Sequence, residues 1–192
     1  MKDIDIRKIL LDLITDDCNE PSQSLVVEEL GLCQGNARID IAVINSYLHG
    51  YEIKSARDTL GRLSSQIESY NKIFDHITLV VSTSHLEKSL KQIPDWWGVC
   101  EAKKVEGGIQ LNNVRPCGKN TDIDPLAVAQ LLWRDEALET LEEYDFDKGF
   151  RSKPRSVLWE RLATQLTLKD LQTTVRDKLK ARDNWRSAPT QV

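Results

Sequence analysis

The sequence predicts an α/β core followed by an all-helical C-terminal region. Residues 37–44 (ARIDIAVI) and 76–82 (HITLVVS) are short, rich in β-branched residues and almost continuously apolar, which is typical of strands buried on both faces. Between these runs, residues 59–74 repeat apolar side chains at helical spacing. After residue 125 the periodicity is helical. This order of strands, an interposed helix and then helices alone defines the predicted class.

The N-terminal elements predict a helix and a three-stranded meander. Residues 4–14 repeat isoleucine and leucine at helical spacing, which indicates an amphipathic helix. Residues 24–30 (SLVVEEL) predict a first strand, and residues 37–44 follow it after a turn. Residues 51–54 (YEIK) begin a third strand. Because the connecting turns are short, we expect the three strands to be antiparallel.

The middle of the chain predicts a parallel crossover and further strands. The third strand, the helix at 59–74 and the strand at 76–82 follow one another, an order that usually closes as a right-handed parallel crossover. Residues 94–103 predict another strand, and residues 107–114 predict a weaker one. These strands complete the predicted core.

A linker divides the chain into two predicted domains. Residues 116–125 (PCGKNTDIDP) cluster proline, glycine, asparagine and aspartate. The predicted domains are therefore a core at residues 1–118 and a helical region at residues 125–192. In the second, residues 126–144 predict one helix, and a turn around 147–154 separates it from a pair of helices.

Charge is distributed unevenly along the chain. The net charge is −4, but residues 148–192 hold 11 Lys and Arg against 4 Asp and Glu, a balance of +7. Residues 1–147 hold 15 against 26, a balance of −11. An acidic body joined to a region that is basic from about residue 148 favours phosphate contacts in that region.

Composition also bears on compartment and redox state. No apolar run approaches the roughly 18–20 residues that span a bilayer, and residues 1–17 lack the features of a signal peptide. We therefore expect a cytoplasmic protein without a membrane partner. Cys18, Cys33, Cys100 and Cys117 are far apart and show no metal-ligand spacing, so reduced thiols are expected.

The feature that predicts chemistry is an acid inside a buried strand. Asp40 interrupts the apolar run 37–44, and an unpaired buried carboxylate is costly. Strand alternation places Glu52 and Lys54 on one face of the next strand. If the two strands pair, Asp40 lies beside Glu52, and a divalent cation would relieve their repulsion. Carboxylate oxygens and water suit Mg²⁺ or Mn²⁺, although a structural salt bridge to Lys54 is the alternative.

Lys54 and the following helix would complete a hydrolytic site. At the edge of the metal site, Lys54 can hold the attacking water and neutralise charge that develops on a phosphate. Gln66 and Tyr70 lie one turn apart on one face of the predicted helix, with Arg62 one turn earlier. This face suits a substrate phosphate, while Tyr70 also falls on the apolar stripe and a core role stays open.

These residues resemble the motif of a known superfamily. Asp40, eleven intervening residues and then Glu52-Ile53-Lys54 resemble the D…E-x-K core of the PD-(D/E)XK (restriction-endonuclease-like) nucleases. Gln66 and Tyr70 match the Q-x-x-x-Y that several exonuclease and resolvase branches carry on the next helix. Residues 1–105 more closely resemble a family of small, mostly uncharacterised bacterial proteins in that superfamily.

The resemblance implies both a fold and a fuller metal shell. The implied fold is a restriction-endonuclease-like core, ordered helix, three-stranded meander, helix and strand, with a C-terminal helical extension. The superfamily commonly adds an upstream glutamate to the metal site. Glu29 is the preferred candidate here, with Glu28 and Glu20 as alternatives. Ile39 stands where the motif's name has proline.

The sequence therefore predicts a metal-dependent nuclease, in which Asp40 and Glu52 bind the cation and Lys54 positions water. DNA is favoured over RNA as the substrate. The alternative is a non-catalytic nucleic-acid-binding or protein-interaction module on the same fold. Endonucleolytic or exonucleolytic cutting, sequence preference and oligomeric state, a homodimer included, are left open.

Overall fold

One mixed sheet of six strands organises the part of the chain that the structure describes. The structure is a computed structural model, and it describes residues 2–17 and 24–182. The strands are β1 (Leu25–Leu32), β2 (Ala37–Ile44), β3 (Leu48–Lys54), β4 (His76–Ser82), β5 (Gly98–Val105) and β6 (Gly108–Arg115). The helices are α1 (Asp3–Asp17), α2 (Leu63–Tyr70), α3 (Leu86–Leu90), α4 (Pro125–Ala129), α5 (Arg134–Glu143), α6 (Arg155–Gln165) and α7 (Leu168–Lys180).

The strands lie side by side in chain order. β1, β2 and β3 are antiparallel, which confirms the predicted meander. β3, β4 and β5 are parallel, with α2 between β3 and β4, which confirms the predicted parallel connection. β6 returns antiparallel to β5. The predicted α/β class is confirmed as a mixed sheet with helices.

The two faces of the sheet belong to different hydrophobic clusters. On one face, α1 contributes Ile6 and Leu10 to a cluster with Ile41, Ile53 and Val80. The other face belongs to a larger cluster that also contains α2 and the helices after residue 124. Because β4 lies inside the sheet and both faces are covered, its apolar run is nearly continuous.

The larger cluster contains side chains from both predicted domains. Leu79 of β4 and Tyr70 of α2 belong to it, and so do Leu158 of α6 and Leu171 of α7. A domain is a unit that can fold independently, and the division of the chain into two such units stays a prediction. The helical region nevertheless has no separate core within the described residues.

The prediction of one helix at residues 126–144 is wrong. The chain instead forms α4 and α5, with a turn at residues 130–133 between them. The carboxylate of Glu136 accepts a hydrogen bond of 2.7 Å from the Trp133 backbone N–H, which caps the start of α5. The helix predicted at residues 59–74 is also shorter, since α2 spans only Leu63–Tyr70.

The expectations about membrane and thiols can be compared with part of the chain. No helix among residues 2–17 and 24–182 is long and apolar enough to cross a membrane. Cys33, Cys100 and Cys117 are free thiols. Cys18 lies outside the described residues.

Candidate functional site

The predicted site residues meet at one cleft, which we call the Asp40 cleft. It has a volume of about 490 Å³ and lies between the start of α1, the middle of β1 and β2, the end of β3 and the start of α2. Six of the seven predicted residues line it: Glu29, Asp40, Glu52, Lys54, Arg62 and Gln66. The seventh, Tyr70, is buried and contacts Glu52 through its hydroxyl.

Asp40 enters the cleft because the strand pairing is interrupted there. In the β1–β2 ladder, Glu28 pairs with Ile41 and Leu30 pairs with Ile39, so Glu29 and Asp40 are skipped. Glu29 has a φ of 58°, in the left-handed region that is uncommon for residues other than glycine. On the other side of β2, the Asp40 carboxylate accepts a hydrogen bond of 2.7 Å from the Ile53 backbone N–H. The Asp40 side chain thus connects β2 with β3 at the end of the ladder between these two strands.

Arg7 of α1 is the main partner of Asp40, and the sequence analysis missed it. Its Nη2 lies 2.8 Å from Asp40 Oδ1 and 2.8 Å from Glu29 Oε1. Its Nη1 donates to the Asp40 carbonyl oxygen at 3.0 Å. The side chain is nearly buried, because Arg7 stands on the same helical stripe as Leu10 and Ile14. A charged residue on an apolar stripe is the sequence signal that could have identified Arg7 as part of this site.

Glu52 is the most buried charged group of the site, with 2% of its surface exposed. Its Oε1 accepts from Lys54 Nζ at 2.5 Å and from Gln66 Nε2 at 2.7 Å. Its Oε2 accepts from the Tyr70 hydroxyl at 2.7 Å. The geometry makes Lys54, Gln66 and Tyr70 partners of Glu52. Their predicted contacts with water or substrate stay predictions.

One buried polar atom of this network has no hydrogen-bond partner. Gln66 Nε2 donates to Glu52 and lies 3.2 Å from the Tyr70 hydroxyl, while Gln66 Oε1 is buried and unpaired. A buried acceptor without a donor is costly, so a water molecule or a ligand in the cleft would stabilise it. Arg62 is exposed at the start of α2 and lines the same cleft.

The electrostatics of the cleft are those of crowded carboxylates. Burial and the neighbouring Glu52 raise the pKa of Asp40 to about 7, against the lowering effects of the Ile53 N–H and Arg7. Burial lowers the pKa of Arg7, but Asp40, Asp3 and Glu29 together raise it above its ordinary value. Burial and Glu52 raise the pKa of Tyr70, so this hydroxyl is neutral. A further cation would relieve the repulsion between Asp40 and Glu52.

The residues that could hold a divalent cation are Asp40 and Glu52. Mg²⁺ commonly uses one or two carboxylates, completed by water and substrate phosphate. The raised pKa of Asp40 and the unpaired Gln66 Oε1 fit such a group. A preformed cluster of three acidic, histidine or cysteine ligands is absent from the described residues.

The third carboxylate predicted for the metal is held by arginines. Glu29 pairs with Arg7 and, at 2.7 Å, with Arg38. Of the alternatives, Glu28 lies 3.6 Å from Arg7, and Glu20 lies outside the described residues. Glu29 as a metal ligand therefore stays a prediction, and it would require these ion pairs to rearrange.

Some cations of the basic C-terminal region pair with the acidic helix α5. Lys178 Nζ lies 2.8 Å from Glu139 and 2.7 Å from Glu143. Arg182 forms two bonds of 2.6 Å to Glu136. This part of the positive charge is neutralised within the chain, so the region offers less attraction for phosphate than its composition predicts.

Comparison with known proteins identifies the family. A family model described as "Bacteriophage P4 protein cII" matches residues 2–188, and the chain belongs to this family. Protein cII of Enterobacteria phage P4 is 22% identical over 161 residues, which cover 84% of this chain and 60% of that protein. The chain thus matches less than two thirds of its curated relative.

The predicted membership of the PD-(D/E)XK superfamily is wrong, because the matching family is that of phage P4 cII. The motif consists of a few residues. Most of them, Lys54, Gln66 and Tyr70, form hydrogen bonds with Glu52, and such a network does not require common descent with that superfamily. Among solved structures, Pyrococcus furiosus SfsA in complex with Ca²⁺ is a distant neighbour, at 12% identity and a TM-score of 0.33. The match covers 59% of this chain and 63% of SfsA. It is too weak to carry an argument.

Proposed function

We propose that the protein is a divalent-metal-dependent phosphodiesterase acting on nucleic acid, with DNA favoured over RNA. The observation that carries the proposal is the Asp40 cleft, where two crowded carboxylates and the Lys54 ammonium lie together. The order of α1, the β1–β3 meander, α2 and β4 agrees with a restriction-endonuclease-like core. This order of elements supports the proposal that the chain has such a core. The proposal concerns the arrangement of helices and strands and not the family to which the chain belongs.

Asp40 and Glu52 are the residues that would hold Mg²⁺ or Mn²⁺. When bound, the cation supplies a Lewis acid for a phosphate oxygen and lowers the pKa of a bound water. The protein's contribution is to fix the two carboxylates before substrate arrives. Ile53 and Arg7 orient Asp40, while Gln66 and Tyr70 orient Glu52.

Lys54 is the residue proposed to position the nucleophile. Its ammonium is nearly buried and bonds to Glu52, so its direction is fixed relative to the carboxylates. An ammonium group has three hydrogens, and those not engaged by Glu52 can hold the attacking water and stabilise charge on the phosphate. Arg62, exposed on the rim, is placed for a contact with the substrate backbone.

A cleavage assay tests this proposal. Plasmid DNA, single-stranded DNA and RNA are incubated with the purified protein and Mg²⁺ or Mn²⁺, with and without EDTA. We expect cleavage that EDTA abolishes and that falls at least about 100-fold in Lys54→Ala and Asp40→Asn, because general acid–base and electrostatic groups contribute factors of this order.

Matched controls are available on the surface away from the cleft. Lys104 and Asp122 are exposed and do not line it, so Lys104→Ala and Asp122→Asn should cleave like the wild type. Unchanged cleavage in Asp40→Asn and Lys54→Ala would show that another site, or a contaminant, performs the reaction.

A second function is favoured by the existing ion pairs. Arg7 already compensates Asp40 and Lys54 already compensates Glu52, as expected of structural salt bridges in a binding module. This candidate predicts nucleic-acid binding or protein binding with no cleavage under either metal. It also predicts that Lys54→Ala lowers stability without changing the affinity for nucleic acid.

A further inference from the structure

A second and larger depression lies on the sheet face that carries α1. It has a volume of about 1020 Å³ and extends from the C-terminal half of α1 across β3, β4 and β5 to α7. We call it the β3–α7 groove. Its lining shares no residue with that of the Asp40 cleft, and neither proposed function uses it.

The floor of the β3–α7 groove is aromatic. The rings of His49 and Tyr51 stack with centroids 4.3 Å apart and planes 18° apart. His76 lies beside them, with its centroid 5.7 Å from that of His49. Tyr47 meets His76 edge-on at 5.2 Å, and 48% of Tyr47 is exposed, while the other three rings are half-buried. The exposed ring of Tyr47 is therefore the surface on which a planar ligand can stack.

Hydrogen bonds hold the histidine rings of the floor in place. His49 Nε2 lies 2.9 Å from Thr78 Oγ1, and burial, with His76 nearby, lowers the pKa of His49 to about 3. His76 Nδ1 lies 2.8 Å from the Gly118 carbonyl oxygen. Because a carbonyl only accepts, His76 Nδ1 carries the hydrogen, and in the neutral ring Nε2 is then an acceptor. An N–H group of a heterocyclic ligand is a suitable donor to this Nε2 acceptor.

Three cations line the rim of the groove. They are Arg115 of β6 and Arg176 and Lys180 of α7, and the lining includes one carboxylate, Asp177. Lys180 pairs with Asp177 at 3.1 Å, while Arg176 lies 4.0 Å from Asp75 and Arg115 lies 3.6 Å from Asp95, two carboxylates outside the lining. The guanidinium and ammonium groups at this rim are donors for an anionic ligand such as a phosphate. The opposite wall, with Leu10 and Ile14, is apolar.

We infer that the β3–α7 groove is a nucleotide-binding site. A nucleotide combines the two properties that the groove complements: a planar heteroaromatic base for the Tyr47–His76 surface and a phosphate for Arg176 and Lys180. This chemistry is shared by a free mononucleotide and by a nucleotide within a single strand. The site is separate from the Asp40 cleft and does not depend on the proposed phosphodiesterase activity.

Titration calorimetry with two probes tests the inference. The protein is titrated with dAMP and with a deoxythymidine decamer in the presence of EDTA, which suppresses metal-dependent binding at the Asp40 cleft. We expect saturable binding that weakens about fivefold or more in Tyr47→Ala, because base stacking on one aromatic ring contributes at least this factor. Lys180→Ala should also weaken binding, with a loss that shrinks at high salt.

Two matched variants control for loss of an exposed ring or charge. Tyr144 is exposed outside the groove, and Lys169 is exposed on the same helix as Lys180. Tyr144→Ala and Lys169→Ala should bind both probes like the wild type.

The outcomes separate the two sources and the two proposals. Sensitivity of dAMP binding to Tyr47→Ala identifies a free nucleotide, and sensitivity of decamer binding alone identifies a single strand. Absence of binding by both probes, or equal affinity in Tyr47→Ala, Lys180→Ala and the wild type, overturns the inference. Failure of cleavage with intact groove binding would overturn only the proposed function.

Discussion

At the residue scale, the candidate site consists of two carboxylates with different supports. Glu52 is enclosed by neighbours from its own strand and from α2, so its position is fixed by local structure. Asp40 depends instead on Arg7, 33 positions away in the sequence. Loss of one member of a nearly buried ion pair leaves an uncompensated charge. Arg7 is therefore the residue whose removal most directly disturbs the site.

We predict that Arg7→Met destabilises the protein by about 3 kcal/mol, the lower end of the range for breaking a buried pair. The lower end applies because Asp40, with its pKa raised to about 7, can become protonated instead of staying charged. The double variant Arg7→Met with Asp40→Asn should recover part of this loss, because the remaining partner is then neutral. Urea unfolding of the four proteins measures the coupling. Additive effects of the two substitutions would contradict the assigned pair.

At the element scale, the sequence predicted best those elements whose environment is uniform. β2 and β4 were predicted to the residue, because strands inside a sheet that is covered on both faces need an almost unbroken apolar run. The break between α4 and α5 was missed, because apolar residues continue across it and the Glu136 cap is the only local signal. Element boundaries set by one cap or one tertiary contact are not encoded in periodicity.

The same distinction applies to the site. Glu52 and Lys54 are two residues apart on a strand, and Gln66 and Tyr70 are four apart on a helix, so their grouping follows from local geometry. The position of Asp40 required the interrupted β1–β2 ladder and the left-handed Glu29. Neither follows from alternation, since alternation assumes an unbroken ladder.

The attachment of α7 to the sheet supplies a prediction at this scale. Asp75, which precedes β4, accepts from the Leu48 backbone N–H at 2.8 Å and from Gln172 Nε2 of α7 at 3.0 Å. We predict that Gln172→Ala destabilises the protein by about 1–2 kcal/mol, because a buried acceptor loses its donor. Lys169→Ala on the exposed side of α7 serves as the control.

The readout for Gln172→Ala is hydrogen exchange of β4 and α6 together with urea unfolding. Because one hydrophobic cluster joins the sheet and the C-terminal helices, exchange should accelerate in both elements by the same factor. Acceleration confined to α6 and α7 would show that the helical region unfolds by itself, as the predicted division at residues 116–125 implies.

At the scale of the whole molecule, charge determines how the protein meets a polyanion. The net charge is −4, and the cations Lys178 and Arg182 of the C-terminal region are paired with α5. Sequence-independent attraction to phosphate is therefore weaker than the +7 balance of residues 148–192 indicates. A divalent cation at Asp40 and Glu52 would add positive charge where the proposed substrate binds. Metal binding and substrate binding should consequently be coupled.

We predict that Mn²⁺ raises the melting temperature of the protein through Asp40 and Glu52. A ligand that binds only the folded state at about 100 times its Kd contributes about 2.7 kcal/mol. For a chain of 192 residues, this free energy corresponds to a shift of roughly 5–10 °C. Thermal unfolding with increasing Mn²⁺, followed by circular dichroism, measures it. The shift should vanish in Asp40→Asn and persist in Asp122→Asn. A shift of equal size in Asp40→Asn would place the cation elsewhere, and no shift in the wild type at saturating Mn²⁺ would leave the binding module as the better description.

The stabilisation by Mn²⁺ should also depend on pH, because protons and Mn²⁺ compete for the same Asp40 carboxylate, whose pKa is raised to about 7. The shift should therefore be larger at pH 8 than at pH 6, since a higher pH leaves Asp40 deprotonated before the cation binds.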